Sequence, residues 1–105
     1  MRVALYLRCG NKNNNEEALD NINEQRKKLI EYCESNGWEV VSILQDIGST
    51  ADENRPGFEA LRAVIASRAT DYVLVTIPDR LVRSMREYMK LDGLAKANSV
   101  SILSL

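Results

Sequence analysis

Four short apolar runs alternate with three longer amphipathic segments along the chain. The first run is short, is bounded by polar residues and is typical of a buried strand, and the third run is the most apolar of the four. The second run is also rich in β-branched side chains, which favour the extended conformation. The pattern predicts strands at residues 2–7 (RVALYL), 38–44 (WEVVSIL), 72–77 (YVLVTI) and 100–105 (VSILSL).

The segments between these runs have helical spacing. The first predicted helix begins at about residue 16 or 20 and ends at 35, and Gly37 is the expected left-handed residue after its end. Pro56 suits the first turn of the second helix, and the third spans about 84–97. A polar loop is predicted from 45 to 54. The apolar positions are Ile22, Leu29, Ile30 and Cys33 in the first helix, Phe58, Leu61, Val64 and Ile65 in the second, and Met85, Tyr88, Met89 and Leu91 in the third.

The order β-α-β-α-β-α-β predicts an α/β fold. Every crossover is long enough to hold a helix, so consecutive strands should be parallel, with helices on both faces of the sheet. We therefore expect a three-layer α/β/α domain over residues 1–105 with a mostly parallel sheet of about four strands. Because the sequence ends directly after a strand, we interpret it as part of a longer protein.

Charge and composition narrow the classes of function. The chain has a net charge of −1 and a sequence pI of about 5.5, whereas a domain that binds DNA tightly by itself is usually basic. No apolar run has the length of a membrane span and no signal peptide is recognisable, which favours a cytoplasmic protein. Cys9 and Cys33 fit no metal spacing and are expected to be reduced thiols.

Charged side chains cluster where the predicted strands end. In open α/β sheets, ligands bind beyond the carboxyl ends of the strands. Four arginines and two aspartates fall there, so the local charge is positive and suits a phosphodiester. The alternative is that each arginine pairs with a nearby carboxylate such as Asp46, Asp52, Glu53 or Asp79. The polar residues after the three strands are Arg8, Cys9 and Gly10; Asp46, Ser49 and Arg55; and Asp79, Arg80 and Arg83.

The sequence lacks the motifs of the other common phosphate-binding and phosphoryl-transfer sites. The sequence contains no G-x-x-x-x-G-K-[ST] loop, no G-x-G-x-x-G fingerprint and no carboxylate cluster suited to two metal ions. Phosphoryl transfer by this rim would therefore require a nucleophilic side chain.

Four motifs, in order and on the predicted elements, resemble the serine site-specific recombinases of the resolvase/invertase group. The resemblance covers essentially the whole chain, which is similar to their N-terminal catalytic domain. The motifs are Tyr6-Leu7-Arg8, Ile22-Asn23-Glu24-Gln25, Asp46-Ile47-Gly48-Ser49 followed by Arg55-Pro56-Gly57-Phe58, and Pro78-Asp79-Arg80-Leu81-Val82-Arg83.

The resemblance implies DNA cleavage and strand exchange through a phosphoserine link, with no metal and no cofactor. It implies that Arg8, Arg80 and Arg83 hold the scissile phosphate and stabilise its developing charge. Arg55 would support the same phosphate or its neighbours.

The resemblance also implies roles for four polar residues. Asp79 and Gln25 would position groups in the site, and Gln25 is counted with the phosphate-binding residues. Ser49 would form a hydrogen bond within the site. Asp46 would orient an arginine or assist proton transfer to the leaving sugar oxygen.

Gly10 departs from the family pattern, which places the nucleophilic serine at this position. Glycine has no hydroxyl, so the sequence leaves open whether this chain cleaves DNA. Cys9 is an alternative nucleophile, but strand alternation turns it away from Arg8. Ser49 lies on another segment and would need a different geometry. An engineered change, a catalytically dead relative and a shifted loop each account for Gly10.

Two other classes of function compete with an active recombinase. One is a non-enzymatic relative that serves as a dimerisation or DNA-regulatory module. The other is a generic flavodoxin-like regulatory domain, which predicts acidic residues at the end of the first strand and so disagrees with Arg8-Cys9-Gly10. The resemblance implies a homodimer or tetramer in the full protein and weak DNA binding by this domain alone. Met85 is expected in the core. For Tyr88 and Met89, both a core position and a position in a subunit contact stay open.

Overall fold

The computed structural model describes residues 1–9, 15–47, 56–75 and 85–104. Within these ranges the chain alternates strands and helices in the predicted order, beginning and ending with a strand. The elements are β1 (Arg2–Cys9), α1 (Asn15–Ser35), β2 (Glu39–Ile47), α2 (Pro56–Ala66), β3 (Tyr72–Val75), α3 (Met85–Ala97) and β4 (Ser101–Ser104).

The four strands form one sheet in the order β2-β1-β3-β4. Every neighbouring pair is parallel, as the helical crossovers require. β1 is thus central, and its end lies between the ends of β2 and β3. The predicted three-layer α/β/α architecture is confirmed.

The two faces of the sheet carry separate cores. On one face, Val3, Leu5 and Leu7 of β1 pack with the buried stripe of α1, which comprises Ile22, Leu29 and Cys33. Burial of Cys33 raises the pKa of its thiol, because the charged thiolate loses its hydration.

On the other face, the even-numbered residues of β1 pack beneath α2 and α3. Ala4 and Tyr6 belong to this core, in agreement with the two-residue alternation of a strand. The helices contribute Phe58, Leu61 and Ile65 from α2 and Leu91 and Ala95 from α3. On α3, Met89 is 66% exposed, so it is not a core residue of this domain.

The end of α1 follows the prediction for Gly37. Its φ is +69°, a left-handed conformation that glycine adopts without a Cβ penalty. The amide of Trp38 donates to the carbonyl of Cys33 at 2.9 Å, and that of Gly37 donates to Glu34 at 3.2 Å. This pair of bonds is a Schellman motif, which satisfies the last carbonyls of the helix.

Two strand ends differ from the prediction. β1 continues through Arg8 and Cys9, and β2 continues through Gln45, Asp46 and Ile47, which were predicted to open a polar loop. The parallel ladder extends over these residues because Leu7, Arg8 and Cys9 pair with Gln45, Asp46 and Ile47. Because Arg8, Gln45 and Asp46 are polar, the pattern of apolar residues did not predict this pairing.

The pairing of β1 with β2 is interrupted once. Val3 pairs with Val40, but the next residue, Ala4, pairs with Ser42, so Val41 is an extra residue in β2. Val40 accordingly packs against the α1 core, whereas Leu44 packs against the α2 and α3 core. Without the extra residue these two side chains would face the same side of the sheet.

Candidate functional site

Arg8 and Asp46 lie side by side at the carboxyl ends of β1 and β2. They are partners in the parallel register, and both are buried, with exposures of 5% and 6%. Arg8 continues the face of Ala4 and Tyr6, and Asp46 continues the face of Leu44. The structure therefore brings these two predicted site residues together on the α2 side of the sheet edge.

The Asp46 carboxylate caps the N-terminus of α2. Oδ1 accepts the backbone N–H of Gly57 at 2.8 Å, and Oδ2 accepts that of Phe58 at 2.9 Å. Oδ2 also accepts the hydroxyl of Tyr6 at 2.6 Å. The first amides of a helix lack intrahelical partners, and a carboxylate there satisfies them and complements the helix dipole. We call this arrangement of Asp46, Tyr6, Gly57 and Phe58 the Asp46 cap.

Gly57 permits the cap to form. A Cβ at this position would contact the carbonyl oxygen of Gln45 and lie 2.8 Å from the carbonyl carbon and 3.0 Å from Cγ of Asp46. The first turn of α2 thus packs on the backbone of β2 at a distance that only glycine allows. The Asp46 carboxylate accepts the N–H groups of Gly57 and Phe58. These two N–H groups are therefore not available to bind a phosphate or another external anion.

Gln25 holds the end of β1 from the opposite side. It is 9% exposed, and its side-chain Nε2 donates to the backbone carbonyl of Arg8 at 3.0 Å. The same nitrogen also donates to the side chain of Asn21, one turn earlier in α1. An amide nitrogen carries two hydrogens, so both are used within the protein in this geometry.

Arg26, which follows Gln25 in α1, was not among the predicted site residues. Its Nη2 donates to Oε1 of Gln45 at 2.8 Å and so ties α1 to the end of β2. Its Nε is buried without a hydrogen-bond partner. Sequence alone offered no signal for this contact, because the polar pattern of α1 contains several similar cations.

Six of the predicted site residues lie outside the residues that the structure describes. The side chain of Cys9 does too, although its backbone pairs with Ile47 in β1. The six are Gly10, Ser49, Arg55, Asp79, Arg80 and Arg83.

Tyr6 and Gly57 donate hydrogen bonds to the predicted site residue Asp46, a contact that the sequence motifs did not indicate. Both occur in the motif segments, Tyr6 two residues before Arg8 and Gly57 two after Arg55. A buried tyrosine needs a partner for its hydroxyl, which was the available signal for Tyr6. The ring of Tyr6 also meets that of Phe58 edge to face, with centroids 6.2 Å apart.

The described ranges contain no group of three cysteine, histidine or acidic side chains arranged to hold a metal ion. Among the helices of those same ranges, none is long and apolar enough to cross a membrane.

Comparison with solved structures defines the class of domain. The N-terminal catalytic domain of TP901-1 integrase is 34% identical, with a TM-score of 0.83, over 100% of this chain and 77% of that one. The catalytic domain of ISC1926 TnpA, an IS607-like serine recombinase, is 28% identical, with a TM-score of 0.85, over 99% and 69%. The first ORF of transposon ISC1904 from Sulfolobus solfataricus P2 is 30% identical, with a TM-score of 0.79, over 100% and 67%. The fold is that of serine recombinase catalytic domains.

The sequence profile described as "Resolvase, N terminal domain" matches residues 3–105. The chain therefore belongs to the resolvase N-terminal domain family, whose general activity is site-specific recombination. No curated protein matches the sequence.

Proposed function

We propose that this chain binds a DNA phosphodiester in the manner of a serine recombinase catalytic domain but lacks the group that attacks it. The observation that carries the proposal is the buried Arg8 at the end of β1, which stands beside Asp46 and whose backbone is held by Gln25. Gly10 follows two residues later, at the position where the family pattern has its serine.

The proposed chemistry needs no cofactor. In an active relative, the serine hydroxyl oxygen attacks phosphorus, the bond to one sugar oxygen breaks, and the proton released by serine is matched by one taken up by that sugar oxygen. One phosphodiester is exchanged for another, so the energy of the link is retained for rejoining. The guanidinium groups stabilise the charge that develops on the phosphate oxygens.

In this chain the proposed supporting groups are Arg8, Arg55, Arg80 and Arg83, with Asp79 and Ser49 positioning them. Gly10 offers no oxygen to attack phosphorus. We therefore expect the chain to bind DNA phosphate without forming a covalent link. Oligomers and the DNA-binding surface of a longer protein would supply most of the affinity.

Restoring the hydroxyl tests the proposal. Gly10→Ser and the matched control Gly10→Ala are each incubated with end-labelled genomic fragments of the source organism. Covalent adducts are then scored by label retained with protein after SDS treatment. We expect adducts with Gly10→Ser alone, because serine supplies the nucleophilic hydroxyl. Alanine restricts the backbone as serine does but has no hydroxyl.

A second function is favoured by Gly10 itself. A relative without a nucleophile serves as a dimerisation or DNA-regulatory module, since binding requires the arginines but not the hydroxyl. If Gly10→Ser forms no adduct while the unmodified chain still retards the same fragments, this second function replaces the first.

A further inference from the structure

The guanidinium group of Arg26 is only partly satisfied by the protein. Its Nη2 donates to Oε1 of Gln45 at 2.8 Å, and its Nε is buried without a hydrogen-bond partner. Within the described ranges, no other buried side-chain nitrogen or oxygen is in this state. A buried donor without an acceptor loses its hydration and gains nothing in return, so native structures rarely keep one. Arg26 therefore has a donor left over for an acceptor from outside the chain.

The unpartnered Nε and the bonded Nη2 belong to the same edge of the guanidinium group. Their N–H bonds are parallel, and this geometry matches the two oxygens of a carboxylate or a phosphate. The amide of Gln45 offers a single oxygen, so it satisfies one of the two donors. Gln45 is also neutral and exposed. A ligand with two anionic oxygens would complete the edge of Arg26 by displacing one surface side chain.

The positive charge of Arg26 is not balanced along α1. Residues three and four positions apart are neighbours on a helix, and none of those neighbours of Arg26 is acidic. By contrast, Lys28 has glutamates at both distances, Glu24 before it and Glu31 after it. The ion pairs among the described residues do not include Arg26. The helix neighbours of Arg26 are Ile22, Asn23, Leu29 and Ile30.

Arg26 lies at the carboxyl end of the sheet, close to Arg8. The residue before it, Gln25, donates to the backbone carbonyl of Arg8, and Gln45 directly precedes Asp46, the register partner of Arg8. Arg8 continues the α2 side of the sheet, whereas Arg26 belongs to α1 on the opposite side. A small anion would contact one of the two arginines. A backbone with repeated phosphates that crosses this end of the sheet would meet both.

We propose that Arg26 is a further phosphate-binding residue, which takes a DNA backbone phosphate on the α1 side of the sheet with Nε and Nη2, in place of the Gln45 oxygen. The inference deepens the proposed function and rests on it for the DNA. It adds a contact on the face of the sheet opposite Arg8, and it gives the unpartnered Nε a role.

Two substitutions in the same helix test whether Arg26 contacts phosphate. Arg26→Gln and Lys28→Gln each remove one positive charge, but Lys28 is exposed and lies about 200° around the helix from Arg26. Affinity for a duplex of random sequence is measured by fluorescence anisotropy at several salt concentrations. We expect Arg26→Gln to weaken binding several-fold and to reduce the salt dependence by about one counterion, with little change in Lys28→Gln. Equal effects of the two substitutions would overturn the inference.

Gln45→Ala separates a phosphate contact from a purely structural link between α1 and β2. This substitution removes the hydrogen bond to Arg26 and keeps the charge. If the Gln45 oxygen only takes the place of a phosphate, Gln45→Ala should leave the salt dependence unchanged and leave the affinity unchanged or raise it a few-fold. If the bond instead serves to hold α1 on β2, Gln45→Ala should weaken binding as Arg26→Gln does, and that result would overturn the inference.

The unmodified chain provides a readout that depends on no variant's folding. The Nε–H resonance of Arg26 is followed by ¹⁵N NMR during addition of the duplex and is assigned by its loss in Arg26→Gln. We expect it to move downfield, because the hydrogen gains an acceptor. A duplex that binds without moving this resonance would overturn the inference and leave the proposed function standing. A duplex that does not bind at any salt concentration would overturn both.

Discussion

Gly57 lies in the first turn of α2, where its Cα packs against the backbone of β2. A Cβ there would meet the backbone of Gln45 and the carboxyl group of Asp46. Gly93 is in the middle of α3, and a Cβ at that position would meet nothing within 4 Å. A side chain is therefore expected to destabilise the fold at Gly57 and to stabilise it at Gly93, although both glycines lie in helices.

We predict that Gly57→Ala lowers the free energy of unfolding by about 1–3 kcal/mol, because the methyl group forces α2 away from β2 and weakens the cap. Gly93→Ala should raise it by about 0.5–1 kcal/mol, because alanine loses less conformational entropy in a helix. Urea unfolding followed by circular dichroism measures both. Similar changes in the two variants would contradict the close approach at Gly57.

The motifs predicted Arg8, Gln25 and Asp46 as site residues but did not predict the contacts that they make. Arg8 and Asp46 are register partners, which agrees with a shared site. Asp46 accepts two backbone N–H groups of α2 and the hydroxyl of Tyr6, and Gln25 donates to the backbone of β1 and to the side chain of Asn21. A motif records which residue types recur together, whereas the partner of a carboxylate depends on how helices pack on the sheet.

At the level of elements, the central segments were predictable and the ends of the strands were not. The apolar runs located all four strands. Burial on both faces of the sheet accounts for the apolar runs of the inner strands β1 and β3, whereas the edge strands β2 and β4 are only partly buried. Gln45 and Asp46 extend β2 although they are polar, since Gln45 bonds Arg26 and Asp46 caps α2. Their polar groups are satisfied by tertiary contacts that no local pattern contains.

The start of β1 is tied to the residue before β3 by an exposed ion pair. The Nε and Nη2 of Arg2 donate to Asp71 at 3.3 and 3.2 Å, and the Arg2 backbone amide donates at 2.9 Å. Hydrogen bonds from the side chain and backbone of Arg2 hold the pKa of the Asp71 carboxyl below its ordinary value of 3.8. The ion pair is therefore present at neutral pH.

We predict that this ion pair contributes to stability above about pH 4 and that the contribution is lost as the pH falls below 3.8 through the lowered pKa of Asp71. Asp71→Asn should lower the urea midpoint at pH 7, and its difference from the unmodified chain should shrink at about pH 3 and at high salt. Asp20→Asn, at an exposed aspartate of α1, controls for the change in charge. A difference that persists unchanged in acid would contradict the assignment to this ion pair.

For the whole molecule, the net charge of −1 does not by itself favour binding to a polyanion such as DNA. Affinity for a polyanion depends on the cations that reach phosphates and on the counterions released there. If positive charge is concentrated at the carboxyl ends of the strands, removing one cation from that edge should weaken DNA binding more than removing one elsewhere.

We predict weak binding of the chain to a random duplex, with affinity falling steeply as salt rises from about 50 to 200 mM. Arg83→Ala should weaken binding and reduce the salt dependence by roughly one counterion. Arg68→Ala is the matched control, because Arg68 lies in the turn before β3, at the opposite edge of the sheet, where it donates to Asn98. Equal effects of the two substitutions would place the DNA elsewhere on the surface.

The sequence by itself determined the number and order of the elements, the parallel sheet and the left-handed end of α1. These follow from periodicity and turn chemistry, which act between residues close in the chain. Only the tertiary structure decided which face each half of β2 presents, because one extra residue at Val41 reverses the alternation. That reversal directs Asp46 to α2 and to Tyr6, which precedes it by 40 residues. Contacts of this kind depend on strand register and helix packing, which the local pattern of side chains does not specify.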